Sequence, residues 1–272
     1  MTVVYIVLAV IWFLLLFFFL AMKGRKNFDG IENMRDWYYA HRGLHSEGVP
    51  ENSMAAFRAA KEAGFGVELD VHLLADGKLA VIHDSSLLRT AGVDVVVEEL
   101  TASDLREYTL EGTEERIPLL TQVLNYFRGE IPVIVELKTY KGNASDLCEA
   151  AWQVLKDYEG DYYIEAFDPR CVVWLRSCHP DTIRGQLTQN YFRSKNKLPF
   201  SLKFMLKHQL LNCMTKPDFV AYKFEDRITI SNIIARKVWG IQGVAWTITT
   251  QEDFDLAIKE GWVPIFEGFI PE

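Results

Sequence analysis

Two hydrophobic regimes succeed each other along the chain. From Thr2 to Met22 the sequence TVVYIVLAVIWFLLLFFFLAM carries no charge and no helix breaker. A helix of about 20 apolar residues rises about 30 Å, the thickness of a bilayer's hydrocarbon core. Beyond it, short apolar runs of strand character recur at 36–41, 66–72, 79–83, 132–138, 162–167, 182–187, 218–222, 243–248 and 263–267. Segments of helical spacing lie between most of them, at 52–63, 119–128, 145–157, 169–177 and 251–260. Several helix ends are legible. Asp168-Pro169 offers a capping carboxylate followed by proline at the first helical position, and Gly64 and Gly261 stand at C-terminal stops.

Alternating strands and helices imply an α/β protein with a parallel sheet, and the count suits a closed (β/α)8 TIM barrel. One strand breaks the rhythm. Only Asp76-Gly77 and a few neighbours separate 66–72 from 79–83, which is a hairpin, since a parallel crossover needs a dozen residues or more. Strand 79–83 is therefore read as an excursion, leaving eight for the barrel. A doubly wound open sheet is the competing architecture, but no glycine-rich dinucleotide or Walker loop follows any strand. The expected organisation is an anchor at 1–22, a linker at 23–35 and a barrel at 36–272.

Composition narrows the setting. A 272-residue chain with net charge −8 lacks the positive field of a general nucleic-acid binder. A cleaved signal peptide would have a basic start and a small-residue cleavage site, so an uncleaved anchor is expected. Lys23, Arg25 and Lys26 follow the apolar segment directly, and the positive-inside rule then puts the rest of a single-pass membrane protein in the cytoplasm. Cys148, Cys171, Cys178 and Cys213 form no C-x-x-C pair and read as reduced core thiols.

Side-chain parity isolates polar residues that do not belong in a core. In 66–72, GVELDVH, the apolar Val67, Leu69 and Val71 take the helix face, turning Glu68, Asp70 and His72 inward. In 132–138, PVIVELK, the same parity turns Glu136 and Lys138 inward with Ile134. Three carboxylates so placed need a cancelling charge, and a hard divalent cation with oxygen ligands suits them better than zinc. The bland alternative, a half-exposed strand whose acids face water, loses ground because a second, distant strand repeats the pattern. His41 and His83 each end a strand and suit an acid–base pair, although a histidine of this kind taken alone is more often structural. His45, His72, His179 and His208 have no comparable company.

The ordered set His41-Arg42-Gly43, Glu51-Asn52, Glu68-Leu69-Asp70-Val71, His83-Asp84 and Glu136-Leu137-Lys138 resembles the glycerophosphodiester phosphodiesterase family, with EAFDP (165–169) and AWTI (245–248) as later matches. The resemblance implies a TIM barrel of the phospholipase-C-like phosphodiesterase type. It implies hydrolysis of glycerophosphodiesters to glycerol 3-phosphate and an alcohol, with one divalent cation, Mg2+ or Ca2+. By the same resemblance Glu68, Asp70 and Glu136 would hold the metal, and His41 and His83 would be general acid and base. Arg42, Lys138 and Trp246 would meet the phosphate or substrate, while Glu51 and Asn52 would support the first histidine. Ala166, Thr249 and the final strand VPIFEGF depart from the family pattern. These departures are expected to bear on substrate, away from metal and proton-transfer positions. A lysophospholipase D acting on lysolipids and a non-catalytic binder of phosphodiester head groups are the alternatives.

Finally, no acidic residue occurs between Asp181 and Asp218, while Arg184, Arg193, Lys195, Lys197, Lys203, Lys207 and Lys216 alternate with aromatics. Two readings stay open: an amphipathic insert at 191–213 resting on anionic lipid, or an outer-ring helix at 201–213 with a solvated basic face.

Overall fold

The inward-outward alternation of the strands is satisfied by closing the sheet on itself. The computed structural model describes residues 1–25 and 28–272, so Lys26 of the topology reading lies outside the described residues. Nine strands form among the described residues: β1 Tyr39–His41, β2 Gly66–Leu73, β3 Leu79–Val81, β4 Val133–Leu137, β5 Tyr162–Ala166, β6 Arg184–Thr188, β7 Phe219–Lys223, β8 Gln242–Ile248 and β9 Trp262–Phe266. Their order is β1-β9-β8-β7-β6-β5-β4-β2-β3, and β1 also pairs with β2, which shuts the ring. All pairings within the ring are parallel, whereas β3 runs antiparallel on β2 through Val71↔Val81. The eight-stranded TIM barrel and the hairpin excursion both stand as expected.

Each strand serves two apolar layers. Val67, Leu69, Val71, Val133, Val135 and Leu137 are buried against the outer helices. Tyr39, Ile134, Tyr163, Phe219, Val244 and Ile265 fill the lower barrel interior. A third cluster, including Ala80, Ile82, Leu87 and Val97, holds the excursion together beside the barrel. The stretch read as a linker is no free tether. Met34 is fully buried and, with Ile31, joins the cluster inside the barrel base. Arg25 is tied to Asp218, at the start of β7, and to the Thr182 carbonyl.

Two further expectations need correction. The continuous outer-ring helix at 201–213, one of the two open readings of that stretch, is not formed, because Gln209 adopts a positive φ of 56° between Phe200–Lys207 and Asn212–Thr215. Cys148 and Cys171 are buried core thiols, but Cys178 is exposed and Cys213 half-buried, so the four do not share one environment. Of the basic strip, Arg184 is buried, with its guanidinium on the carbonyls of Thr215 and Pro180.

Candidate active site

Parallel register sets the acidic cluster. His41 pairs with Glu68, Asp70 with Glu136, and Glu136 with Glu165, so the inward residues of β1, β2, β4 and β5 share neighbouring layers. Glu68, Asp70 and Glu136 are buried, and each places an oxygen within 4.8 Å of the others. Lys138 lies between two of them, with Nζ 2.9 Å from Asp70 Oδ1 and 2.8 Å from Glu136 Oε1. Burial and the neighbouring carboxylates push Glu68 well up, and burial raises Glu136 to about 7. Burial opposes ionisation of Asp70 too, but Lys138 and Arg42 hold it far below the usual carboxylate range. One lysine does not neutralise this set. The all-oxygen donor group and its repulsion fit a hard divalent cation.

The fourth carboxylate, Glu165, was not singled out from the sequence. It is buried, its Oε2 has no partner, and burial together with Glu136 pushes its pKa well up. Strand parity would have found it, since Tyr163 and Glu165 alternate with the helix-facing Ile164 and Ala166.

The two histidines stand on separate supports. His41 ends β1, its Nδ1 bonded to Glu267 Oε2 and its Nε2 3.9 Å from Glu68. His83 follows β3, and Asp84 Oδ1 lies 2.7 Å from its Nδ1. Burial lowers both pKa values, that of His83 to about 4, so each ring is neutral near pH 7. With Nδ1 facing a carboxylate, each ring carries its proton there and leaves Nε2 as a lone pair. Glu267, in the altered final segment VPIFEGF, lies directly against His41, so this departure does not stay clear of the two histidines, contrary to expectation. His45 also returns to the site's edge, its Nε2 3.6 Å from Glu267.

His72 has company as well. Its Nδ1 faces Glu98 at 2.6 Å, and its Nε2 faces the His83 carbonyl at 3.0 Å, fixing the backbone that carries the second histidine.

The turn after β1 is shaped for this job. Arg42 and Gly43 both have positive φ, 55° and 79°, and a Cβ on Gly43 would lie 2.8 Å from the Ala56 backbone, so only glycine fits. Arg42 donates its backbone N–H to Glu68 (3.2 Å) and its guanidinium to Glu51 (2.9 Å). The guanidinium Nε lies 3.3 Å from Asp70. Asn52 donates to Asp70 Oδ2 at 2.9 Å. Ser53 caps the helix Met54–Glu62, accepting from Ala56 N–H. Glu51, expected to support His41, does not touch it but holds Arg42, and Arg89, absent from the sequence reading, links it to the His83 support by donating to Glu51 at 2.6 and 2.9 Å and to Asp84 at 2.6 Å.

A cavity at the C-terminal mouth of the barrel is lined by His41, Arg42, Glu68, His83, Glu136 and Lys138 on one side. Phe167, Leu187, Trp246 and Ile265 line the other side, and Glu165 also lines the cavity. Trp246 packs edge-on against Phe167 with centroids 5.5 Å apart, and its indole N–H has no partner.

A parallel barrel with buried carboxylates, two neutral histidines and two cations at its mouth defines a phosphoric diester hydrolase. The family model described as "Glycerophosphoryl diester phosphodiesterase family" matches residues 41–270, and the chain belongs to that family. A glycerophosphodiester phosphodiesterase of Caldanaerobacter subterraneus subsp. tengcongensis is 30% identical over 249 residues, covering 84% of this chain and 92% of the relative. A lysophospholipase D of Rattus norvegicus is 33% identical over 138 residues, covering 46% of this chain and 42% of the relative. Among solved structures, an Oleispira antarctica phosphodiesterase in complex with the product sn-glycerol-3-phosphate superposes with a TM-score of 0.70. It is 22% identical, over 85% of this chain and 92% of that one, a likeness of fold.

Proposed function

We propose that the enzyme hydrolyses the diester between glycerol 3-phosphate and an alcohol, with a divalent cation held by Glu68, Asp70 and Glu136. The observation that carries this is the mutual approach of three buried carboxylates within 4.8 Å beside two imidazoles. The cation, when bound, supplies positive charge against the phosphoryl oxygens. Arg42 and Lys138 add two fixed cations for the same oxygens. A phosphodiester anion in the cavity raises the pKa of the imidazole it touches, so one histidine becomes a proton donor to the leaving oxygen. The other keeps its Nε2 lone pair and accepts the proton of the attacking oxygen, either that of water directly or that of a neighbouring substrate hydroxyl, in which case water then opens the cyclic phosphate. Glu267 and Asp84 hold both rings in the tautomer that aims Nε2 inward, while Glu51 and Asn52 fix Arg42 and Asp70. Trp246 offers an apolar wall and one N–H donor to the rest of the substrate.

A product assay tests the reading: glycerophosphocholine or a lysophospholipid is supplied with Mg2+, Ca2+ or chelator, and glycerol 3-phosphate, or its acylated form, is measured. No turnover with any cation rejects the reaction, and turnover in chelator rejects the metal assignment. A lysophospholipase D specificity is the second reading, favoured by the apolar helix Thr2–Ala21. In our reading residues 1–22 are an uncleaved single-pass anchor and 36–272 the catalytic barrel. Lys23 and Arg25 directly after the helix favour a cytoplasmic barrel at the cell membrane, and residues 191–213 lie against anionic lipid.

A further inference from the structure

The apolar helix is not a detached stalk. Its last turn packs on the barrel: Phe18 against His208 (ring centroids 5.9 Å apart) and Phe19 against Trp239 (4.8 Å). The Trp239 indole donates to the Phe19 carbonyl at 2.9 Å, and Asn212 donates to the Met22 carbonyl at 3.1 Å. Residues 1–15 are exposed and stand off the protein. With the exposed part taken up by a bilayer as an anchor, the surface around Phe18 and Phe19 stands at the headgroup layer.

That surface is apolar and basic. Of twelve large apolar side chains exposed beyond Met22, eight fall between Phe192 and Val238 among the described residues. The most prominent are Phe200 (74% exposed), Ile228 (80%) and Ile230 (74%). These three lie where the chain leaves β6 and β7, which is the mouth side of the barrel, whereas Met214 and Val238 precede β7 and β8 at the other end. Phe192 pairs with Phe200 at 5.3 Å, and Lys207 lies over the Phe192 ring. Lys195, Lys197 and Lys237 are exposed around them. The two acids on this rim are both countered, Asp226 by Arg193 and Glu225 by Lys223. An aromatic and aliphatic patch ringed by lysines matches an anionic bilayer surface.

We infer that the β6–β7 rim, through Phe200, Ile228 and Ile230, inserts into an anionic bilayer, so that the catalytic mouth opens at the headgroup layer and takes phosphodiester lipids from the side. The substrate half of this inference rests on the proposed hydrolysis; the docking half rests on the helix as an anchor. The test uses the full chain in phosphatidylglycerol/phosphatidylcholine vesicles with Cys178→Ser and Cys213→Ser, which leaves only buried thiols. A spin label is then placed by Phe200→Cys, Ile230→Cys or Asn125→Cys. Asn125 is exposed on the helix between β2 and β4, diametrically across the barrel from the β7 side. Labels at 200 and 230 are expected to meet oxygen more than a nickel chelate, and the label at 125 the reverse. Labels at 200 and 230 that behave like the one at 125 overturn the docking. Separately, Phe200→Ser/Ile230→Ser is expected to lose at least threefold in lysophospholipid turnover on vesicles while glycerophosphocholine turnover is unchanged. No loss on vesicles overturns the lateral access. If the unmutated chain hydrolyses neither substrate, the proposed reaction fails, and the labels still decide the docking.

Discussion

The two walls of the cavity are built on opposite principles. The wall from β1, β2 and β4 is charged, buried and cross-braced, each carboxylate touching a cation or an amide. The wall from β5, β6, β8 and β9 is Phe167, Leu187, Trp246 and Ile265, with Glu165 at its edge and one unpartnered indole N–H. Charge at fixed positions suits the part of a substrate that never changes, the phosphodiester. A wall of dispersion contacts tolerates varied groups and suits the part that does.

The largest effect should come from the charged wall. Glu68→Ala or Glu136→Ala, or chelation, is expected to lower kcat for diester hydrolysis by about a thousandfold or more, measured by product release. His83→Ala should cost about 10² to 10⁴ in kcat. Glu267→Gln removes the carboxylate that raises the His41 pKa, so the ring should titrate lower still by NMR, with a loss in kcat of about tenfold. pH separates the walls again. Because burial raises Glu136 to about 7, that carboxyl binds its proton more tightly in the folded chain than unfolded. The stability it lends is full below its ordinary value and is lost as pH rises through about 7. Chelated protein should therefore melt at lower temperature at pH 8 than at pH 5.5. Added cation should erase the difference and release protons near pH 6, measurable by calorimetry in buffers of different ionisation enthalpy. On the apolar wall, Trp246→Phe keeps the ring and loses the N–H, so a change of only a few-fold, mostly in KM, is expected.

Much of this contrast is visible in the sequence because strand parity is physical: a period of two either faces the core or does not. Glu68, Asp70, Glu136 and Lys138 stand out for that reason. What escapes parity is what reaches the site from loops. Arg89 sits on a short helical turn after the excursion, five residues from Asp84, and only the folding of that excursion against the β1 turn brings it to Glu51. Glu267 lies just past β9, and its pairing with His41 depends on ring closure, which no local pattern reports. The continuous outer-ring helix of one open reading, 201–213, fails at Gln209, whose amide donates to the Asn232 side chain, a tertiary contact invisible in the local periodicity.

The His41–Glu267 bond spans 226 positions and crosses the seam where the first strand meets the last. The proposed cation ligands come from β2 and β4 alone, whereas His41 meets its orienting carboxylate only across that seam. Contacts of such long range are the slow ones in folding. A chain with the seam open would keep Glu68, Asp70 and Glu136 together and yet leave the His41 ring without its orienting carboxylate, so in the proposed mechanism the onset of activity would report the closing of the ring.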